Sequence, residues 1–345
     1  MALTTVSSER LSTNVKTSNL GTELKKKVGQ NKNIVINGSF SIWQRGTSIN
    51  SQGNGQNDYT ADRFAIGHNN SHMAAVTQQD GTGTNAGFRY CARIQRDSGN
   101  SQTDQIRFHT AFETNNVIPL RGKKLTLSFY ARKGANYSEA NSKITNVLVA
   151  TGENTDGNPN SYAGGGFTNA SNIINGTDAT LTTDWQRFTY TSSTVSNTAN
   201  SMIIEFRFTP VGTAGANDYY ELTGVQLEVG SVATDFEHRS FAQEMQLCKR
   251  YYQLNISNTS YAVTTTKVRA MIAGTVEMRA APSLAIVNAT GTVEDYYVNN
   301  RNMTSIGSLV FATKLGGFAN IDITSTTVNK PQALAPEAIS MSAEL

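Results

Sequence analysis

The sequence predicts an all-β protein, an antiparallel β-sandwich followed by a smaller C-terminal β domain. Three observations lead there. Runs of alternating apolar and polar residues recur along most of the chain, and period two is the mark of a strand with one buried face. Clusters of Asn, Gly, Asp and Ser separate those runs without intervening helical stretches, which favours antiparallel sheets. Of 345 residues, 38% are hydrophobic, 16% charged and 28 are Gly. That balance suits many short strands joined by polar turns, and aromatic and β-branched residues occur throughout, unlike in a disordered chain.

Taken in order, residues 1–30 differ from the rest. Leu20, Leu24 and Val28 recur every four residues on one helical face, with Gly21 interrupting. So short a helix needs a partner surface, so this segment is either an attachment arm or a frayed leader. Residues 31–238 read as the sandwich. Ile34-Val35-Ile36 is the expected first strand; others are expected at 88–94, 124–131, 144–149, 185–190 and 202–208. Trp185 to Tyr190 alternates aromatic and polar residues and is expected to put three rings on one face. Two polar loops, 50–57 and 151–166, are long enough to suggest function; the second carries Tyr162 and Gly164-Gly165-Gly166.

Residues 239–252 form the clearest helix, a linker. Phe241, Met245, Cys248 and Tyr252 follow a 4-3-4 spacing behind Ser240 as N-cap. That stripe packs either on its own domain or on symmetry mates. Residues 253–345 return to β. Strands are expected at 261–268 and 271–276, and residues 277–284 end one strand and begin the next.

The residues exclude several chemistries. A net charge of +3 is too small to imply a nucleic-acid groove, and Lys25-Lys26-Lys27 reads as a solvated helix end. No apolar run nears the ~20 residues that span a bilayer, and residues 1–6 lack the pattern of a signal peptide. Cys91 and Cys248 are expected as buried thiols. Asp62, Glu113, Glu205 and Glu237 are carboxylates, but no spacing brings two together for hydrolysis; Glu205, between Ile204 and Phe206, is expected on an outer strand face. His68 and His72 lack a third zinc ligand, and His109 and His238 stand apart. No nucleophile-elbow, phosphate-loop or dinucleotide pattern is present. The chain is not expected to be an enzyme. Asp62-Arg63 reads as an ion pair fixing the first long loop, and Trp43 and Trp185 as core residues.

Two segments are distinctive. The first is Asn37-Gly38-Ser39-Phe40-Ser41-Ile42-Trp43-Gln44-Arg45-Gly46, with Tyr59-Thr60-Ala61-Asp62-Arg63-Phe64 after it. The second is Gly224-Val225-Gln226-Leu227-Glu228-Val229-Gly230, followed by Ala233-Thr234-Asp235-Phe236-Glu237. In this order they resemble the jelly-roll module, similar to carbohydrate-binding modules, of tail-fibre and other virion proteins of tailed bacteriophages. Such a fold brings residues 33–42 beside 219–229. Met278-Arg279-Ala280-Ala281-Pro282 and the closing Ile339-Ser340-Met341-Ser342-Ala343-Glu344-Leu345 resemble the C-terminal domains of phage fibre proteins.

From residue 31 onward, the resemblance implies a virion structural protein, assembled in the host cytoplasm. It would be a homotrimeric tail-fibre component that contacts other virion proteins and a host cell-surface polysaccharide, with no nucleic-acid partner and no membrane insertion. A capsid decoration or baseplate protein without host binding is the alternative, and a polysaccharide depolymerase a third reading. Leu20, Leu24 and Val28 would serve attachment, and Phe241 and Met245 attachment or self-association. Tyr162, Phe167, Tyr296, Tyr297 and Arg301 are the glycan-contact candidates, because aromatic faces stack on pyranose C–H faces and Arg supplies hydrogen bonds. No cofactor is expected. The resemblance allows a structural Ca²⁺, with Asn37, Asp218 and Glu228 as candidate ligands.

Overall fold

The computed structural model describes residues 32–51, 57–68, 74–158, 167–254, 257–264, 266–286, 292–295, 300–323, 331–334 and 339–345. Two six-stranded antiparallel sheets form the sandwich. The first runs, side by side, β1 (Ser48–Asn50), β4 (Ala74–Asp80), β5 (Tyr90–Arg96), β12 (Tyr219–Val229), β7 (Lys124–Lys133) and β10 (Gln186–Thr194). The second runs β2 (Asn57–Tyr59), β3 (Ala65–Gly67), β6 (Ile106–Phe112), β11 (Ser201–Phe208), β8 (Lys143–Gly152) and β9 (Ser171–Thr180). The chain crosses repeatedly between sheets, as in a jelly roll. Alternation decides which side faces in: Met202, Ile204, Phe206 and Phe208 of β11 enter the core between the sheets. There Phe129 meets Phe206 edge-on at 5.0 Å, and Phe64 stacks on Phe108 at 5.3 Å.

The two distinctive segments meet, as expected. Ile34 N–H donates to Leu227 O at 2.9 Å, Asn33 Nδ2 to Val225 O at 3.2 Å, and Val225 N–H to Gly38 O at 2.9 Å. Their glycines are explained by this approach. A Cβ on Gly38 would stand 2.0 Å from Val225 O; one on Gly224, at φ +62°, would stand 2.5 Å from the Phe88 ring. Residues 34–36, however, are not a strand. Side-chain bonds from Asn33 replace the ladder, and Asn37, at φ 60°, turns the chain away.

Two further expectations need correction. The rings of residues 185–190 do not share a face: Phe188 and Tyr190 lie 5.4 and 6.1 Å from Phe129, whereas Trp185, of opposite parity, sits 4.9 Å from the Arg132 guanidinium. Residues 261–268 are not one strand. The chain turns between β14 (Ser257–Thr264) and β15 (Lys267–Ala273), with Thr264 opposite Lys267. A turn made from threonines carries no Gly, Pro or Asn to betray it.

Between the sandwich and the C-terminal strands lies a short helix. A four-residue helix, α1 (Thr114–Val117), precedes it in the sandwich, and the linking helix is α2 (Phe241–Lys249). Ser240 and Gln243 form a reciprocal capping box at its start. Beyond it, β13 (Tyr252–Leu254), β21 (Ile339–Ser342) and β16 (Ser283–Ile286) make a three-stranded sheet. A closed barrel runs β14, β15, β19 (Gly316–Ile323), β18 (Asn300–Thr313), β17 (Thr292–Asp295) and β20 (Pro331–Leu334). Val268, Ala270 and Ile272 of β15 share a second core with Met278, Ile321 and Met341.

A polar seam ties the C-terminal strands to the sandwich. Arg250 reaches Glu113 at 3.0 Å, and Tyr251 Oη donates to the same carboxylate at 3.1 Å. Arg279 spans Asp156 at 2.7 Å, Ala343 O at 2.9 Å and Glu344 O at 3.0 Å. Glu344 in turn pairs with buried Arg63 and with Arg45. The Met278-Arg279 element is therefore both core and clasp: Met278 is fully buried while its neighbour holds the two parts together.

Candidate functional site

The strongest candidate site is a groove of ≈ 530 Å³ between the loop 39–47, the edge of β4 and β5, and the start of α2. The loop is built around Asn37. Its Nδ2 donates to Ile42 O at 2.8 Å and Asp62 O at 3.0 Å, and its Oδ1 accepts from Ile42 N–H at 3.0 Å. Phe40, fully buried 4.7 Å from Phe64, anchors the loop in the core. With that ring inside, Ser39, Ser41 and Trp43 line the groove. Trp43 is half-buried; its edge packs against the core and its Nε1 donates to Phe40 O at 2.7 Å.

Gln78 of β4 and Tyr90 of β5 lie across from them, with Gly87 and Arg89 beside. Buried Phe88 supports His238, whose ring lies 5.2 Å away. Phe241 and Met245 of α2 complete the wall, and Phe241 is 62% exposed. Aromatic surface interleaved with amide, guanidinium, imidazole and hydroxyl groups in an open cleft is what a small polar ring with apolar faces requires.

Few of the expected site residues gather here. Phe241 and Met245 do. Tyr162, Tyr296, Tyr297, Leu20, Leu24 and Val28 lie outside the described residues, and of Arg301 only its place in β18, opposite Val293, is described. Phe167 is not a glycan platform: it is 3% exposed and packs with Leu148, Ala150 and Ile203 in a small cluster on the outer side of the second sheet. Asn37, Asp218 and Glu228 do not form a calcium site. Asp218, just before β12, and Glu228, near its end, stand ten residues apart, roughly 33 Å at strand rise. The Asp218 carboxylate is held by Arg96 and Ser138 N–H, and that of Glu228 by Thr234 and Gln226. Asp62 and Arg63 are not paired with each other. Asp62 accepts from Gln44, and Arg63, at φ 71°, turns to Glu344.

Trp43 is less buried than a core residue would be. Trp43→Ala is expected to lower stability by about 2 kcal/mol, below the ~3–5 kcal/mol of a fully buried ring, and to lower the melting temperature measurably. Phe241→Ala, at an exposed position, should stay within about 0.5 kcal/mol. Thermal melts of the two variants check both expectations. The residues that sequence reading missed are Arg89, Gln78 and His238, which meet only through tertiary packing and leave no motif in the chain.

A second polar group sits on the far side of the sandwich. Glu205 is on the outer face of β11, as expected, yet is only 1% exposed; it pairs with Arg207 at 2.6 Å and lies opposite His109 across β11 and β6. His109 is 2% exposed. Burial, helped by the charge of Arg107, pushes its imidazole down to about 3. The folded protein therefore keeps His109 neutral where an unfolded chain, titrating near 6.5, takes up a proton. Its contribution is intact above about pH 6.5 and is lost as pH falls toward 3. At pH 4.5 the loss is on the order of 3 kcal/mol from this group. Urea unfolding at pH 7 and 4.5 should show a smaller acid-side drop in His109→Leu than in the parent.

No protein-family model matches the chain. No curated protein sequence matches it. Among solved structures it is similar to the enzymatically active domain of tailspike protein 4 of bacteriophage CBA120, at 11% identity over 58% of this chain, with a TM-score of 0.37. The similar part is 22% of that tailspike chain. It is also similar to a CBM4 module at 19% identity, covering 56% of this chain and 98% of that one, with a TM-score of 0.31. A third is the CBM22-1–GH10 portion of xylanase 10B from Clostridium thermocellum, complexed with xylohexaose. There identity is 9%, coverage 59% of this chain and 29% of that chain, and TM-score 0.33.

Proposed function

We propose that this chain is a structural protein of a tailed-phage virion, a homotrimeric tail-fibre component whose sandwich binds a host-surface glycan. The observation that carries the glycan reading is the groove itself: half-buried Trp43 and exposed Phe241 share one cleft with Arg89, Gln78 and His238. A ring as exposed as Phe241 contributes little to folding, so its place in that cleft favours contact with a ligand. The virion reading is supported by the sequence signatures, whose glycines have a physical reason in the closure of the sandwich. Self-association is supported by apolar groups left in solvent on α2 and the barrel: Leu247, Leu315 and the cross-strand pair Met271 and Phe318. Three copies of one weak saccharide site would act together through avidity.

The test is binding of the purified protein to an array of bacterial surface oligosaccharides, repeated with Phe241→Ala. Loss of binding at an unchanged melting temperature supports the reading. Full binding by the variant removes the groove from it. Release of new reducing ends would replace binding with depolymerisation, and antibody label on the phage head would replace the fibre with a capsid role.

A further inference from the structure

The charges around the groove narrow its ligand. None of the residues lining it is Asp or Glu, while two are arginines and one is a histidine. Several arginines elsewhere are neutralised: Arg93 and Arg132 share Glu221, Arg250 takes Glu113, and Arg279 takes Asp156, whereas Arg187, exposed like Arg89, and Arg121 are bonded to neutral oxygens. Within the groove Arg239 is also neutralised, bonded to Glu244 at 3.2 Å and to the carbonyls of Val35 and Asn33. Among the described residues the Arg89 side chain has neither an ion pair nor a hydrogen bond. It is exposed and lies over the Tyr90 ring, 5.1 Å from its centroid. Asp80, which lines the adjoining hollow with Arg89, accepts from Thr82, whose N–H and hydroxyl donate to it at 3.0 and 2.8 Å.

An unpaired guanidinium at the mouth of a cleft without carboxylates attracts an anion, and its planar fork fits a carboxylate or phosphate through two parallel hydrogen bonds. We propose that the groove takes an acidic saccharide, with Arg89 receiving the anionic group while Trp43 and Phe241 lie against the sugar's apolar faces. This rests on the glycan-binding reading and adds the charge of the ligand to it.

The experiment measures affinity for matched pairs of bacterial oligosaccharides. Uronic-acid-containing chains are compared with their carboxyl-reduced forms, and phosphate-bearing chains with their dephosphorylated forms. The acidic member of a pair should bind at least tenfold more tightly, and the pair that shows the difference identifies the anion. Arg89→Gln should remove that difference at an unchanged melting temperature, and Arg89→Lys should keep part of it. Raising salt from 0.05 to 0.5 M should weaken the parent but not Arg89→Gln. Equal affinity within every pair, or an acid preference that survives Arg89→Gln, overturns the inference and leaves the glycan reading standing. No binding to any member overturns the glycan reading itself.

Discussion

Arg96→Met should leave the protein insoluble or destabilised by about 3–5 kcal/mol, the cost of stranding one half of a buried ion pair. Domains of this kind have roughly 5–15 kcal/mol in total, so the loss is decisive. Arg96 is fully buried near the end of the sandwich. Its Nη1 donates to Asp218 at 2.9 Å and Ser138 Oγ at 3.1 Å, and its Nη2 to the carbonyls of Asn100, Gln102 and Gly212 at 3.0, 2.6 and 3.1 Å. One side chain therefore gathers three loops, and Asp218, itself 0% exposed, would keep only the N–H of Ser138. Arg96→Lys should fare little better, because one ammonium cannot reach so dispersed a set of acceptors. Arg96→Met with Asp218→Asn should recover part of the loss, since no buried charge is then left alone. Urea midpoints for the three variants check this; a single mutant within 1 kcal/mol of the parent would contradict it.

The next largest effect is expected at the seam. Glu344→Ala should cost about 2–4 kcal/mol, because it strands Arg63, which is 3% exposed, and takes a partner from Arg45. Arg63 would be left with Ala111 O at 2.6 Å and the Tyr251 ring, whose centroid is 3.6 Å from its guanidinium carbon. Burial screens this pair from salt, so the loss should be similar at 0.05 and 0.5 M. Glu344→Gln, which still offers an oxygen acceptor, should lose less. The readout is the urea midpoint together with the rate of protease cleavage around residues 274–282, where the clasp opens. Unchanged cleavage in Glu344→Ala would show that Arg279, bonded to backbone carbonyls and Asp156, holds the seam unaided.

Much of the fold was legible because strands with one dry face must alternate. The runs at 124–131 and 202–208 became β7 and β11 within a few residues, and Ser240 before the Phe241 stripe gave the start of α2. What failed was local sequence standing in for tertiary context. Asp62 and Arg63 look like partners, yet neighbouring residues point apart and each found a better one far away. Glu205 looked outward and its alternation was right, but that outer face also carries buried Leu148, Ala150, Phe167 and Ile203 and is not open. Phe167 looked like a loop aromatic and became the centre of that cluster. Of the groove residues, sequence reading expected Phe241 and Met245 to serve attachment or self-association and Trp43 to be core. It had no means of seeing that Arg89 would lack a carboxylate, since ion pairing across strands is a property of register.

The strap from Asn33 to Gly38 has a consequence in time as well as in space. It closes on Val225 and Leu227 across a separation of 192 and 194 residues, so its contacts are highly non-local. Closing so long a loop is entropically costly, and pairings of this range slow folding to the millisecond-to-second regime typical of all-β topologies. Until the strap arrives, the backbone near the middle of β12 is left without it. Changes that widen the approach at Gly38 should therefore act first on the rate of refolding and on the yield of folded protein, before any assay of the finished molecule registers them.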